Sequence, residues 1–167
     1  IYKDIKKLNI NIFDNHQKTN GRGDIVKVKL FKKFFYLVDE SYNSNPLSLK
    51  SALKNFEMIK ITNSKKHLIL GDMLELGKHS KKLHIEIGKS INKTSLQNVN
   101  IVGKQVKWTF NSLNKYKRGI IIKRKSQIID LIKNNLNNND YLMIKGSYST
   151  GLNSLTNQIK MGKINAL

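Results

Sequence analysis

The 167-residue chain is long enough to form one well-buried domain, and it contains no cysteine, which excludes a disulfide framework and a thiolate metal site. Its formal net charge of +20 would suit a nucleic-acid-binding protein, but only Arg22, Arg118 and Arg124 are arginines, and the lysines are scattered along the whole chain. Lys, Asn and Ile are abundant together, as an A/T-rich coding sequence would produce, so the charge favours compositional bias over nucleic-acid binding.

The first residues of the chain and its hydropathy indicate where in the cell the protein is expected. The chain begins with Ile1 rather than Met, and it shows neither a secretory signal pattern nor an apolar run long enough to cross a bilayer. We therefore expect a cytoplasmic protein without membrane insertion, and we expect the chain to be a fragment or a processed product.

The first predicted strands lead into a polar turn. Residues 20–24, Asn-Gly-Arg-Gly-Asp, are typical of a turn, and residues 25–30 alternate apolar and basic side chains as in a half-buried strand. The apolar and aromatic run over residues 34–38 predicts a buried strand. This strand ends in acidic and amide side chains just before Pro46, which is where open α/β sheets place their ligands.

From residue 46 onwards, predicted helices and strands alternate. Apolar residues at helical spacing predict helices over residues 47–59, 83–91, 105–113, 128–136 and 152–159. Short apolar runs predict strands over residues 67–70, 99–102, 120–122 and 141–144. The connections are short, and right-handed crossovers are the rule in such chains, so the sequence predicts a three-layer α/β/α domain with a mostly parallel sheet.

Three of the predicted strands end in turns that carry polar or charged side chains: residues 39–43, 71–73 and 145–147. The carboxyl ends of parallel strands emerge at one edge of a sheet, so these turns can converge on a single ligand. Glycines in two of the turns allow close approach of the backbone.

The side chains at these strand ends suit an anionic ligand. Lys145 follows four apolar strand residues and precedes a glycine, so we expect its ammonium to point into the cleft. Ser147 and the following helix N-terminus supply donors for a carboxylate or a phosphate. Asp39, Glu40 and Asp72 could hold a ribose hydroxyl or an ammonium group.

An ordinary polar turn is the alternative interpretation of the first strand end, with Asn45 as N-cap and Pro46 at the first helical position. The chain has no Gly-x-x-x-x-Gly-Lys-[Ser/Thr] loop and no Gly-x-Gly-x-x-Gly. Its histidines have no metal-ligand spacing, and His79 and His84 fit surface or packing positions better. The residues alone thus indicate a binding half-site and not a complete catalytic apparatus.

The motifs resemble those of the Mur ligase family. Residues 39–46, Asp-Glu-Ser-Tyr-Asn-Ser-Asn-Pro, resemble the Asp-Asp-Ser-Tyr-Asn-Ala-Asn-Pro motif of the members that add D-alanyl-D-alanine to UDP-N-acetylmuramoyl-tripeptide. Residues 71–77 match their Gly-Asp-Met-x-Glu-Leu-Gly element, and His84 stands where they have a histidine. Residues 102–105 and 145–147 fit their later strand ends, and order and spacing agree from about residue 20 to about residue 160.

This resemblance implies a Rossmann-like C-terminal domain over residues 32–167, preceded in residues 1–31 by the tail and hinge of a central ATPase domain. It implies ATP and Mg²⁺ as cofactors, with the magnesium ligands in the central domain, and UDP-N-acetylmuramoyl-tripeptide and D-alanyl-D-alanine as substrates. The rest of the same chain would be its partner, with no nucleic acid involved. The family reaction forms an acyl phosphate, which the dipeptide amine attacks.

The resemblance also assigns roles to single residues. It places Arg22, Asp39, Glu40, Tyr42, Asn43 and Asn45 on the nucleotide side of the cleft. It places Asp72, Lys145, Gly146 and Ser147 nearer the dipeptide, with Lys145 as the catalytic residue. Two positions depart from the family motif, since Glu40 replaces an Asp and Ser44 replaces an Ala.

The family's phosphate-binding loop is not in this sequence, so we expect the chain alone to be inactive. Two alternatives remain open. One is a basic, non-enzymatic α/β domain that binds nucleic acid. The other is the C-terminal domain of another Mur-type or folylpolyglutamate ligase, which the Ser-Tyr-Asn-Ser-Asn-Pro turn disfavours.

Overall fold

The computed structural model describes residues 21–163, which form six strands and five helices. The strands are β1 (Asp24–Leu30), β2 (Lys33–Glu40), β3 (Lys66–Gly71), β4 (Asn98–Val102), β5 (Arg118–Ile122) and β6 (Tyr141–Lys145). The helices are α1 (Pro46–Met58), α2 (Ser80–Asn92), α3 (Lys107–Asn111), α4 (Lys125–Asn135) and α5 (Leu152–Lys160). No helix in this part of the chain is both long and apolar enough to cross a membrane.

All six strands join one sheet in the order β1-β2-β6-β3-β4-β5. Every neighbouring pair is parallel except β1 and β2, which form an antiparallel hairpin at one edge. The predicted mostly parallel sheet is therefore confirmed.

Helices cover both faces of this sheet because side chains alternate along each strand. Val38 of β2 packs into a core formed with α1 and α2, whereas its neighbour Leu37 packs into a second core formed with α4 and α5. In β3, Leu68 and Leu70 join the first core and Ile69 joins the second. A continuously apolar strand of this kind is expected where both faces are covered, and the predicted three-layer α/β/α architecture is confirmed.

The α3 helix is shorter than its apolar periodicity predicts. The spacing predicted a helix over residues 105–113, but the α-helix spans only Lys107–Asn111. Val106 and Leu113 are buried as the pattern indicated. At either end the chain continues in tighter turns, in which the N–H groups of Trp108 and Leu113 donate to the oxygens of Gln105 and Phe110, three residues back, at 3.0 and 3.2 Å. The N–H of Val106, which precedes the helix, donates to the Asp72 carboxylate at 2.7 Å.

The predicted boundary between residues 31 and 32 falls in the turn of the β1–β2 hairpin. Phe31 and Lys32 both have positive φ angles, 51° and 61°, as the two central residues of a tight hairpin turn require. Strand β1, which precedes this boundary, pairs with β2 at the edge of the six-stranded sheet. The assignment of residues 1–31 to a central-domain tail stays a prediction, and residues 1–20 and 164–167 lie outside the described residues.

Candidate functional site

The carboxyl ends of β2, β6 and β3 lie side by side at one edge of the sheet. In the parallel register, Lys145 of β6 is opposite Glu40 of β2 on one side and Leu70 of β3 on the other. The three polar turns predicted at residues 39–43, 71–73 and 145–147 are thus neighbours in space.

An open cavity of about 380 Å³ lies at this edge, between the end of β2, the first turns of α1 and the segment before β1. Its lining includes six residues that the sequence assigned to ligand binding: Arg22, Glu40, Tyr42, Asn43, Asn45 and Lys145. We call this the β2–α1 cavity.

Helix α1 adds lining residues that sequence inspection missed. Ser48, Ser51 and Asn55 line the β2–α1 cavity together with Ala52. Their spacing of three to four residues was the available signal, because it places polar side chains on one face of the helix.

Asn45 both lines the cavity and begins α1. Its side-chain oxygen accepts a hydrogen bond from the Ser48 N–H at 2.8 Å, while the Ser48 hydroxyl accepts one from the Asn45 N–H at 3.2 Å. Pro46 occupies the first helical turn. This capping box confirms the N-cap interpretation of the turn, and it fixes the direction in which the chain leaves the cavity.

Lys145 is nearly inaccessible to solvent, at 1% exposure, although it lines the cavity. Its ammonium donates to the backbone oxygen of Asn43 at 3.0 Å and lies 3.4 Å from a carboxylate oxygen of Glu40. Burial lowers the pKa of Lys145 below its usual value of 10.5, and the nearby Glu40 carboxylate offsets part of that change.

Arg22 and Tyr42 also line the cavity and contact each other. The Arg22 guanidinium lies 4.8 Å from the centre of the Tyr42 ring, which remains 43% exposed. Gly21 has a φ of +87°, and a Cβ there would lie 2.9 Å from the Tyr42 nitrogen. Only glycine therefore allows the segment that carries Arg22 to lie against Tyr42.

Asp39 does not line the cavity. It lies at the same sheet edge as Glu40, but successive strand residues face opposite sides of the sheet. Its fully buried carboxylate accepts hydrogen bonds from the N–H and hydroxyl of Ser41 and pairs with the ammonium of Lys160 at 2.5 Å. Nothing distinguished Lys160 in the sequence from the other lysines of the chain.

The residues assigned to the dipeptide side lie in the loops beside the cavity. The Asp72 carboxylate accepts hydrogen bonds from the N–H groups of Lys104 and Val106, at 3.1 and 2.7 Å. The Ser147 hydroxyl accepts from the Leu74 N–H at 2.9 Å and donates to a backbone oxygen of the β2–α1 turn. These contacts tie together the loops that follow β2, β3, β4 and β6.

Gly146 packs directly on β3. A Cβ at Gly146 would lie 3.1 Å from the Gly71 Cα and 2.9 Å from a Leu152 methyl group. A Cβ at Gly71 would lie 2.8 Å from the same methyl group, so the two glycines leave room for Leu152, the first residue of α5.

His84 is a buried packing residue, as the sequence indicated, and it holds the β3–α2 loop. Its Nδ1 donates to the Ser80 backbone oxygen at 2.9 Å, and its Nε2 accepts from the Met73 N–H at 3.3 Å. The bond that Nε2 accepts requires a neutral imidazole, because a protonated ring has no acceptor nitrogen. Burial lowers the pKa of His84 below 6.5, against smaller opposing effects of the Ser80 carbonyl and the Asp72 carboxylate.

Within residues 21–163, no group of three or more His, Asp or Glu side chains is placed to hold a metal ion. The resemblance places the magnesium ligands in a central domain, outside this segment, and their presence there stays a prediction.

Comparisons with known proteins match the chain to one family. Residues 21–148 match the family model described as Mur ligase, glutamate ligase domain. The UDP-N-acetylmuramoyl-tripeptide--D-alanyl-D-alanine ligase of Rickettsia prowazekii is 28% identical over 137 residues, covering 82% of this chain and 29% of that protein. The enzyme of the same name from Bacillus subtilis is 27% identical over 126 residues, covering 74% of this chain and 27% of that protein.

Solved structures show the same fold. The MurF ligase of Thermotoga maritima in complex with ADP superposes with a TM-score of 0.72 at 20% identity, covering 91% of this chain and 33% of that chain. A MurF structure from Acinetobacter baumannii superposes with a TM-score of 0.70 at 22% identity, covering 87% of this chain and 31% of that one. The chain thus spans less than a third of the length of the curated relatives named above. With the family model matching most of its residues, the chain belongs to the Mur ligase family.

Proposed function

We propose that this chain supplies the C-terminal domain of an ATP-dependent ligase that adds D-alanyl-D-alanine to UDP-N-acetylmuramoyl-tripeptide. The names of the similar curated proteins support this activity, and the ADP in the Thermotoga maritima structure supports a nucleotide as ligand. The observation that carries the proposal is the β2–α1 cavity, which collects six of the predicted site residues at the carboxyl edge of the sheet.

The cavity residues fit the parts of a nucleotide. The exposed ring of Tyr42 offers a stacking surface for a base, and the Arg22 guanidinium beside it offers donors for phosphate oxygens. The Glu40 carboxylate suits a ribose hydroxyl, and the side chains of Asn43 and Asn45 can accept or donate hydrogen bonds. When bound with Mg²⁺, ATP would supply the phosphoryl group that activates the tripeptide carboxylate.

Lys145 is the proposed catalytic residue. An ammonium carries three N–H donors, and the contacts to Asn43 and Glu40 use two of them. The third is available for the carboxylate of the incoming dipeptide or for the negative charge that develops when its amine attacks. A buried ammonium is more effective in this role than a solvated one, because few water molecules compete for it.

Asp72, Gly146 and Ser147 are proposed to shape the dipeptide side. Their contacts fix the loops after β3 and β6 next to Lys145. The dipeptide would then lie against the backbone of these loops, between Lys145 and the N-terminal turn of α5.

The proposal is tested by the acceptor specificity of the full-length protein. Phosphate release should require ATP, UDP-N-acetylmuramoyl-tripeptide and D-alanyl-D-alanine together, and mass spectrometry should find the tripeptide extended by the dipeptide. Ligation of a single amino acid instead would identify another Mur-type or folylpolyglutamate ligase. Absence of ATP-dependent ligation with every acceptor would refute the proposal.

The 167-residue chain alone serves as the negative control. It contains neither a phosphate-binding loop nor, in its described residues, a metal cluster, so it should release no phosphate above background. Robust ligation by this chain would contradict the proposal that another domain supplies the phosphate-binding loop and the metal ligands.

A further inference from the structure

Two carboxylates meet at the open end of the β1–β2 hairpin. Asp24 at the start of β1 is the register partner of Asp39 near the end of β2. The ammonium of Lys160, at the end of α5, lies 2.5 Å from the Asp39 carboxylate and 3.7 Å from that of Asp24. Asp39 is fully buried and the Lys160 side chain is only 16% exposed, so this cation holds two anions largely away from water.

Each carboxylate in turn holds a segment that borders the β2–α1 cavity. Asp39 accepts hydrogen bonds from the backbone N–H of Ser41 at 3.0 Å and from its hydroxyl at 2.6 Å. Asp24 accepts one from the Gly21 N–H at 3.3 Å. The Gly21 oxygen then accepts from the Tyr42 N–H at 3.2 Å, which joins the two segments.

A second contact from α5 reaches the same point. The Asn153 side chain donates to the Ser41 hydroxyl at 3.4 Å. Helix α5 therefore supports the β2 turn from the sheet face opposite Glu40 and Lys145, through contacts at two positions along the helix.

We propose that Lys160 is a positioning residue for the nucleotide side of the cavity, and that Asp39 acts through its pairing with Lys160 without contacting a ligand. This inference rests on the proposed function. The turn over residues 21–24 carries Arg22, and the turn over residues 39–42 carries Glu40 and Tyr42.

Lys160 is needed because the carboxylates of Asp24 and Asp39 are close together and carry the same charge. Without Lys160, Asp39 would be a buried carboxylate with no compensating charge, next to the carboxylate of Asp24, and either its protonation or its exposure would disturb the bonds to Ser41. Arg22 and Tyr42 would lose their fixed separation. The two turns carry Arg22, Glu40 and Tyr42, which are proposed to bind the nucleotide, so loss of Lys160 should weaken nucleotide binding more than the chemical step.

The test uses the full-length protein with four variants: Lys160→Met, Lys160→Arg, Asp39→Asn and the double variant Lys160→Met/Asp39→Asn. Lys163→Met is the matched control, because Lys163 is an exposed lysine just beyond α5. The readouts are KM for ATP, kcat, and amide hydrogen exchange of residues 21–24 and 39–42.

We expect Lys160→Met to raise KM for ATP by roughly 10- to 100-fold with kcat changed by less than about threefold, the size of effect that a small misplacement of binding groups produces. Exchange of the two segments should accelerate, and Lys160→Arg should restore most of the loss. The double variant should be no worse than Lys160→Met, since Asn removes the uncompensated charge.

Three results would overturn the inference. Wild-type KM and exchange in Lys160→Met would show that the ion pair positions nothing. Equal effects in Lys160→Met and Lys163→Met would have the same meaning. If the effects of Lys160→Met and Asp39→Asn on KM multiplied, Asp39 would contact the nucleotide directly.

Failure of the proposed function gives a different pattern. Absence of ligation activity in the wild-type protein would refute the proposed function. Amide hydrogen exchange would still test whether Lys160 positions the two segments. Unaltered exchange of residues 21–24 and 39–42 in Lys160→Met would then refute the inference by itself.

Discussion

Glu40 and Lys145 are 105 positions apart in the chain, yet they are directly opposite each other in β2 and β6, and their charged groups lie 3.4 Å apart. This pair forms part of the β2–α1 cavity wall, and Lys145 also holds the backbone of Asn43. The charge that the sheet edge offers to a ligand therefore depends on this pairing.

Replacement of Lys145 should impair ligation more than removal of any other lysine in this domain. In the full-length protein, loss of a largely desolvated charge pair should cost about 2–5 kcal/mol, and Lys145→Ala should lower kcat/KM by roughly 30- to 5,000-fold. Lys82→Ala is the control, because Lys82 is exposed on α2 and a solvated charge contributes little. Thermal unfolding of both variants separates lost chemistry from lost fold. Near-wild-type kinetics in both would end the catalytic assignment.

The contact between α2 and α3 should depend on Gly88. A Cβ at this position would lie 2.7 Å from the Thr109 backbone oxygen and closer still to the Ser112 hydroxyl. Overpacking of this kind costs about 1–3 kcal/mol, which should outweigh the gain of about 1 kcal/mol from helix propensity. Urea denaturation of Gly88→Ala should therefore show a loss on the order of 1 kcal/mol, with Lys89→Ala on the exposed side of α2 as control. A more stable Gly88→Ala protein would show that the two helices are less closely packed.

Stability should fall on mild acidification because the fold requires neutral His84. Burial places its folded-state pKa below the value of 6.5 that it has in the unfolded chain, so the unfolded chain binds the proton at higher pH. The free energy of unfolding should decrease as pH falls below about 6.5, and this decrease should end at the folded-state pKa. His67, whose pKa burial also lowers despite its bond to Asp140, should contribute in the same direction.

The measurement compares urea unfolding at about pH 7.5 and about pH 5.5 for the wild type, His84→Gln and His79→Gln. Glutamine keeps one donor and one acceptor but does not titrate, so His84→Gln should reduce the pH dependence. His79 is exposed, and its replacement should leave the dependence unchanged. An identical slope in all three proteins would contradict the assignment of a neutral, buried His84.

The sequence predicted the layers of the fold and the strand ends that border the cavity, because apolar periodicity and turn chemistry are local properties. Asp39 shows the limit of that approach. Because β2 extends to residue 40, the side chains of Asp39 and Glu40 alternate and face opposite sides of the sheet. The sequence pattern ended the predicted strand at Val38, so this alternation was not predicted. Lys160 could not be identified, since its partners are tertiary neighbours more than a hundred residues away in the chain.

The α3 helix shows a second limit. Apolar spacing correctly indicated that Val106 and Leu113 are buried, yet it overestimated the helix, because hydrogen-bonded turns to residues three back flank the α-helical segment at both ends. Periodicity of apolar residues does not distinguish such turns from α-helix.

The most direct test of a nucleotide site in the β2–α1 cavity is photolabelling of the full-length protein with an azidoadenine analogue of ATP, followed by peptide mapping. With UDP-N-acetylmuramoyl-tripeptide present, label should appear within residues 40–45, foremost on Tyr42, and excess ATP should suppress it. Label that ATP suppresses but that lies wholly outside the residues lining this cavity would contradict the account.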